Sequence, residues 1–456
     1  MKRLTLLLST ALMGALLSAV SAHSRQPADD SNTEPVRLRV DVDRAILPAE
    51  TTEKAVIKIA LDGMRLPRRE LRPPVNLALV IDRSGSMAGD KIQNAREAAL
   101  EAVRRLGPDD IVSLIAYDTN VQTLVSAQRV GNGRRLEQAI RGLEVGGNTA
   151  LYGGVTRGAS EVRKNLEDRR YVNRVILLSD GLANVGPSSA EELGRLGTSL
   201  MKEGISVTTI GLGLGFNEDL MTRLALRSDG NTYFVENSSD LSRIFAAELG
   251  DVLNVVARRV VIEIEFPEGV RPIMFVGRDG SIRGQKAELT LNQLYGGQEK
   301  FALVEVEVSP SRSGAEREIA RARVSYEDAL NQRTTTLTAK RTVQFSSSSA
   351  AVIGSADHKV QADYALNVMA VAKDEAVALV DANRRDEAAA RLRVRSEQFK
   401  AMGQVYQNRE VQSMAAAAAP EADRLEKEGL TNAERKIYRA DNAQVRAQQS
   451  SGGGRP

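Results

Sequence analysis

The chain contains no cysteine. That excludes disulfides, thiolate metal sites, cysteine nucleophiles and lipidation of an N-terminal cysteine. Tryptophan is also missing and aromatic residues make up only 4% of the 456 residues, so the core must be built from Val, Ile, Leu and Ala. Histidine is nearly absent: His23 lies at the expected mature N-terminus and His358 in a connecting stretch. A Ser–His–Asp triad therefore has nothing to be built from. No G-x-x-x-x-G-K-[ST] phosphate loop and no G-x-S-x-G elbow occurs. Ser199-Leu200-Met201-Lys202 has the S-x-x-K spacing of serine–lysine hydrolases, but without S-D-N or K-T-G it reads as chance spacing on a helix. No enzyme is expected. Charge of one sign is lacking too: the formal net charge is +3, and +1 without Lys2 and Arg3. Neither nucleic acid nor an anionic membrane surface is expected as a partner.

What is present is a globular balance, 42% hydrophobic and 27% charged. Lys2 and Arg3 precede an apolar stretch from Leu4 to Val20 that ends in Val20-Ser21-Ala22. This is the pattern of a secretory signal peptide at residues 1–22. Ser9, Thr10, Gly14 and Ser18 dilute a run already short for a membrane span. The mature chain is expected in the periplasm or secreted, touching a membrane only through an uncleaved signal if at all.

Two alternating segments, VRLRVDVD (36–43) and KAVIKIAL (54–61), read as half-buried strands within an N-terminal piece at 36–72. From Asn76 the pattern changes. LALVI (77–81), IVSLIAY (111–117), RVILLSD (174–180), ISVTTIGLG (205–213) and NTYFVE (231–236) are apolar runs suited to strands buried on both faces. Helical periodicity lies between them, as in Ile92, Ala95, Ala99, Val103 and Leu106, and a short helix fits Leu136–Leu143. Residues 75–249 thus read as an α/β domain with a parallel sheet covered by helices. Alternation then returns in VVIEIEF (260–266), AELTLNQL (287–294), FALVEVEV (301–308), IARARVSY (319–326) and TTTLTAKRTVQF (334–345). These make residues 252–346 an antiparallel β-sandwich, which the strands before Asn76 join if the α/β domain is an insertion. SSSSA (346–350) reads as a linker, 356–410 as a helical segment broken near Asp381-Ala382-Asn383, and 411–456 as a mostly disordered tail.

The chemistry gathers where strands end. VIDRSGSM (80–87) places Asp82, Ser84 and Ser86 at alternate positions after a buried strand, and LLSDG places Asp180 after another. GGNTALYGG (146–154) reads as a glycine-flanked loop offering Thr149. In open α/β sheets ligands bind beyond the carboxyl ends of the strands. Five oxygen donors there, with no His or Cys, suit a hard divalent cation: Mg²⁺, Mn²⁺ or Ca²⁺. Two carboxylates leave such an ion short of one strong ligand, which water or another molecule's acid can supply. Arg83 reads as a solvated loop residue.

The order D-x-S-x-S at Asp82, Ser84 and Ser86, then Thr149, then Asp180, resembles the von Willebrand factor type A domain with a complete metal-ion-dependent adhesion site. The resemblance covers about Asn76 to Leu249. It implies a Rossmann-like fold that binds protein partners through the metal, a partner's Asp or Glu completing the coordination. It also implies that Ser84, Ser86 and either Thr149 or Asp180 touch the ion directly, with Asp82 acting largely through water. In some relatives partner binding shifts the site toward Thr149 and moves the last helix. The β-strand flanks and helical tail resemble secreted bacterial members of this superfamily. Pairing with a nucleotide-driven motor, as in metal chelatases, needs nucleotide motifs on this chain, which lacks them, or on a partner, and the expected export argues against it. Two functions follow as expectations: a metal-dependent adhesion or assembly module outside the cytoplasm, or a structural scaffold of the cell envelope whose metal only stabilises the fold. The signal reading predicts that protein from its native host begins near His23; an intact mass that retains residues 1–22 refutes it.

Overall fold

The computed structural model describes residues 34–65, 72–131 and 133–451, and the signal-peptide reading of residues 1–22 lies outside them. The chain begins with β1 (Val36–Val42), the short β2 (Ile46–Pro48) and β3 (Glu53–Gly63). β1 and β3 pair antiparallel from Val36↔Gly63 to Val42↔Ile57. Their alternate apolar residues, Val40, Val42, Ile57 and Ile59 among them, are buried.

The apolar run at 77–81 lies within β4 (Val75–Asp82), which is buried at every position. α1 (Asp90–Arg105) follows and buries Ile92, Ala95, Ala99 and Val103 on one face. Next come β5 (Ile111–Tyr117), β6 (Val121–Arg129), α2 (Arg134–Arg141), α3 (Leu151–Arg163), β7 (Val172–Ser179) and α4 (Ala190–Lys202). β8 (Ile205–Leu212), α5 (Glu218–Arg227), β9 (Thr232–Val235) and α6 (Leu241–Val252) complete the layer. The sheet order is β6-β5-β4-β7-β8-β9, parallel except for β6 at the edge. Chain order reverses between β4 and β7, which sets the ligand crevice of such sheets at their carboxyl ends.

One expectation changes here. The stretch 146–154 is not wholly a loop, because α3 begins at Leu151 and carries Gly153, Gly154 and Gly158. A side chain at Gly154 would come within 2.8 Å of the Tyr117 ring, and one at Gly158 within 2.6 Å of Val80. These glycines serve close helix-on-sheet packing, and their low helix propensity disguised the helix.

Beyond α6 the chain forms β10 (Val255–Glu265), β11 (Val270–Val276), β12 (Ser281–Arg283), β13 (Lys286–Tyr295), β14 (Gln298–Val308), β15 (Glu316–Asp328) and β16 (Thr334–Ser346). Among the described residues one sheet runs β1-β3-β14-β11 and the other β12-β13-β10-β15-β16-β2. β3 pairs β14 along its length, from Glu53↔Val308 to Asp62↔Glu299. The chain therefore leaves this sheet at Gly63, builds the α/β layer and returns to it. Between the sheets lies a core that includes Ile57, Ile59, Ile262, Ile264, Val304, Val306 and Val324.

The α/β layer meets the sandwich through buried polar groups. Arg174 on β7 donates from Nη2 to Gln293 Oε1 at 2.6 Å and to the Tyr295 hydroxyl, and from Nη1 to Thr208 Oγ1 at 3.1 Å. Asp229 accepts from Lys300 at 2.8 Å, Arg278 at 2.5 Å and the Asn292 amide at 2.8 Å.

The C-terminal region corrects two expectations. SSSSA does not stand free: β16 runs to Ser346, and Ser348 caps α7 (Ser349–Gly354). α8 (His358–Asp381) and α9 (Arg385–Val405) form the expected helix pair. The stretch 411–456, expected to be mostly disordered, instead supplies most of α10 (Arg409–Glu428), then α11 (Asn432–Arg446) and β17 (Gln449–Ser451). Alanine is the strongest helix former, and Ala415, Ala418 and Ala422 are small enough to pack α10 closely on α9. Pro420 removes one helix hydrogen bond and is tolerated within α10. α11 starts with a Thr431/Glu434 capping box, and its Lys436 is buried, donating to Phe216 O and Glu218 Oε2, both at 2.6 Å.

Asp251 on α6 gives this frame a pH dependence. It accepts a hydrogen bond from Gln298 at 2.8 Å. Burial first, and the neighbouring Glu248 charge second, raise its carboxyl to about 7, against the pull of Arg174. The folded chain thus keeps a proton that the unfolded chain releases near pH 4. The resulting stability is present below that pH and is lost as pH rises through about 7. Asp251→Asn should flatten this decline and raise stability at pH 8 by about 1–3 kcal/mol. Urea midpoints at pH 5 and pH 8 measure it, and equal pH responses of wild type and variant refute it.

Candidate metal centre

β4 and β7 lie side by side and parallel, in register from Val75↔Val172 to Ile81↔Leu178. The next residues, Asp82 and Ser179, therefore face each other at the carboxyl edge. Ser179 Oγ donates to Asp82 Oδ2 at 2.7 Å, and the Ser84 amide donates to Oδ1 at 2.8 Å. Asp82 is 0% exposed. Burial pushes its carboxyl above the usual range, opposed by the hydrogen bonds from Ser84 and Ser179. Beneath it, Tyr117 is pushed well above the ordinary phenol value by burial, and its hydroxyl donates to Leu178 O at 3.1 Å.

From Asp82 the chain bends through a 3-10 turn at Gly85–Met87. This turn brings Ser84 Oγ and Ser86 Oγ to 3.1 Å from each other. Ser86 Oγ then donates to Asp180 Oδ1 at 2.7 Å, and Lys91 Nζ donates to Asp180 Oδ2 at 2.6 Å. Asp180 is also 0% exposed. The two strand ends are thus joined through Ser84, whose amide bonds Asp82 and whose hydroxyl leads through Ser86 to Asp180.

Thr149 enters from a third segment, just before α3. Its amide donates to Asn184 Oδ1 at 2.8 Å, and the Asn184 amide donates back to Thr149 O at 3.2 Å. Two backbone bonds hold this segment against the turn, Gly85 N to Gly147 O at 3.1 Å and Gly146 N to Arg83 O at 2.8 Å. Gly147 has φ +75 and passes so close to Thr119 that a side chain there would lie 2.7 Å from its hydroxyl. Gly181 marks the shared space. A Cβ on it would sit 3.0 Å from Thr149 Oγ1, 3.3 Å from Ser86 Oγ and 3.8 Å from Ser84 Oγ. Asp82, Ser84, Ser86, Thr149 and Asp180 accordingly border one cradle.

The donor set is all oxygen, with two carboxylates and three hydroxyls, which fits a hard divalent cation. Among the described residues no group of three or more His, Asp or Glu side chains gathers to hold an ion, so a site here depends on the hydroxyls. Sequence reasoning missed Ser179, Asn184, Gly181 and Lys91. Two of these are immediate neighbours of Asp180 and could have been read from it; Asn184 and Lys91 needed the fold. Arg83, read as solvated, pairs with Asp118 at 2.9 Å and braces the rim. Ser199 and Lys202, the S-x-x-K pair, lie on α4, away from this cradle in an open groove with Arg195, Arg223 and Arg227.

Residues 76–247 match the family model of the von Willebrand factor type A domain. An uncharacterized protein of Synechocystis sp. is 29% identical over 296 residues, which is 63% of this chain and 69% of that protein. Human inter-alpha-trypsin inhibitor heavy chain H3 is 29% identical over 202 residues, 43% of this chain and 22% of that protein, so this chain spans under a quarter of that relative's length. Among solved structures, a von Willebrand factor type A protein from Catenulispora acidiphila superposes with a TM-score of 0.66 at 16% identity, covering 87% of this chain and 97% of that one. The ArnB paralog VWA2 from Sulfolobus acidocaldarius gives 0.59 at 14% identity, covering 90% and 98%. At these identities the structural likeness speaks to fold alone. Type A domains are mostly interaction or adhesion modules. Residues 76–247 of this chain are a von Willebrand factor type A domain.

Proposed function

We propose that the protein is a divalent-metal-dependent binding module, working in adhesion or assembly outside the cytoplasm. Asp82, Ser84, Ser86, Thr149 and Asp180 would hold Mg²⁺, or Mn²⁺ or Ca²⁺ in its place. The observation that carries this reading is the run of hydrogen bonds from Asp82 through the Ser84 amide, and from Ser84 Oγ through Ser86 Oγ to Asp180, with Thr149 Oγ1 and both serine hydroxyls gathered around Gly181. When bound, the ion supplies a positive centre with a position free for one more oxygen ligand, suited to a partner's Asp or Glu.

The chain's own residues do the positioning. Asp82 has both oxygens oriented by neutral donors, so it is fixed before any ligand arrives. Ser84 and Ser86 are aimed by the tight turn, and Asn184 holds the Thr149 backbone from both sides. Side chains fixed in this way by supporting hydrogen bonds give a site its geometry.

Asp82→Ala and Asp180→Ala should each abolish Mg²⁺ or Mn²⁺ binding in titration calorimetry while the fold survives, because each removes one of two balancing charges. Ser199→Ala should bind as wild type does. Equal binding by wild type and both Asp variants places the site elsewhere. Gly181→Ala crowds the cradle and should weaken binding by about tenfold, the scale for changes in residues that support a metal. Gly146→Ala is its control, since a side chain there would meet nothing within 4 Å. Similar affinities for the two glycine variants would contradict the placement at Gly181. Partner capture that persists in EDTA would instead favour the scaffold function.

A further inference from the structure

Lys91 is a cation that the cradle already contains. Its Nζ lies 2.6 Å from Asp180 Oδ2, while Ser86 occupies Oδ1 at 2.7 Å. Among the described residues no other cation pairs with Asp180. The pair is asymmetric: the Asp180 side chain is 0% exposed, and the Lys91 side chain is 34% exposed. Lys91 is anchored on the buried side only through its charge, and its flexible stem reaches solvent.

Helix energetics do not account for its position. Lys91 is the second residue of α1, at the positive end of the helix dipole, where a cation is disfavoured. A buried carboxylate without a counter-charge is far more costly, and Lys91 offsets that cost. The neighbouring loop leaves room for it. Gly213, at φ +69, approaches so that a Cβ there would lie 3.6 Å from Lys91 Nζ and 3.7 Å from Cε.

We propose that Lys91 is a tethered counter-cation that competes with the divalent ion for Asp180 and so sets the affinity of the site. This rests on the metal-binding reading above. In the ion's absence the ammonium sits on Oδ2 and keeps the buried carboxylate paired. On ion binding it withdraws toward solvent, and the free energy of that withdrawal is subtracted from the ion's own. If the ammonium is seated about nine times in ten, the apparent affinity is lowered about tenfold. The cost is the same for every cation, so it raises the concentration at which any ion binds without changing their order of preference.

The test is titration calorimetry with Mg²⁺ on the full-length protein and on Lys91→Met, which keeps the stem and removes the charge. The variant should bind Mg²⁺ about tenfold more tightly. Without the ion it should melt at a lower temperature than wild type, and Mg²⁺ should raise its melting temperature by more. Lys91→Arg, which keeps the charge, should not gain affinity. If Lys91→Met folds poorly, Lys91→Gln carries the same test. Binding by wild type with equal or weaker binding by the neutral variants overturns the competitor role and leaves the metal site standing. No binding by wild type or any variant overturns the metal site itself. Tight binding by the neutral variants beside weak binding by wild type supports both.

Discussion

The parallel pairing of β4 with β7 is the constraint on which the rest of the site depends. Both strands are buried along their whole length and sit at the centre of the α/β sheet. Their register puts Asp82 opposite Ser179, and so puts Asp180 one residue further along the neighbouring strand. A slip of one residue would turn alternate side chains to the other face of the sheet. The packing of Leu77, Leu79 and Ile81 on one face and Ala78 and Val80 on the other forbids such a slip. Core packing therefore fixes the relative position of two acids that lie 98 positions apart in sequence.

The opposite end of this arrangement is tied to the sandwich. Arg174 lies on β7, the strand that ends at the cradle, and its guanidinium is fully buried among Thr208, Gln293 and Tyr295, with Glu248 at 3.6 Å. Buried ion pairs of this kind add little net stability, whereas losing one partner costs about 3–5 kcal/mol. Their effect is to fix one orientation between the layers. α11 adds a second tie on another side. Arg435 reaches Asp219 at 2.6 Å and Asp381 at 2.7 Å, linking α5 to α8. Asn432 donates to Leu214 O at 3.2 Å, in the loop whose Gly215 passes Asp180 so closely that a Cβ there would lie 2.7 Å from its carbonyl oxygen. The helices at the C-terminal end of the chain thus brace the back of the same strand end.

Much of this was legible in the sequence because burial on both faces leaves a simple mark. Each of the two central strands contains an unbroken apolar run, and each run leads to an acid, Leu77–Ile81 to Asp82 and Val175–Leu178 through Ser179 to Asp180. The sandwich strands were legible by alternation. What escaped did so for identifiable reasons. α3 is rich in glycine because it must press against Tyr117 and Val80, so its packing role erased its helical signature. β6 is a half-exposed edge strand with a mixed burial pattern and a weak apolar run. The alanine-rich α10 looked like low complexity, yet small side chains are what let it lie close to α9. Lys91 carried no signal, because its meaning comes from Asp180, far away in the chain.

The two acids of the cradle are equally buried but are not equivalent. Asp82 meets only neutral donors, the Ser84 amide and the Ser179 hydroxyl, and burial pushes its carboxyl up. Asp180 faces one hydroxyl and one ammonium, so its charge is already balanced from within the chain. Under the proposed metal-binding reading, an incoming cation would meet two different tasks: at Asp82 it would supply a counter-charge that these donors do not provide, and at Asp180 it would replace one already present. The first would favour binding, and the second would weaken it. A site with neutral donors at both acids would bind cations more tightly, and one with ammonium groups at both would resist them. The arrangement here lies between these limits, and it follows from a single lysine in the first turn of α1 rather than from the five residues that border the cradle.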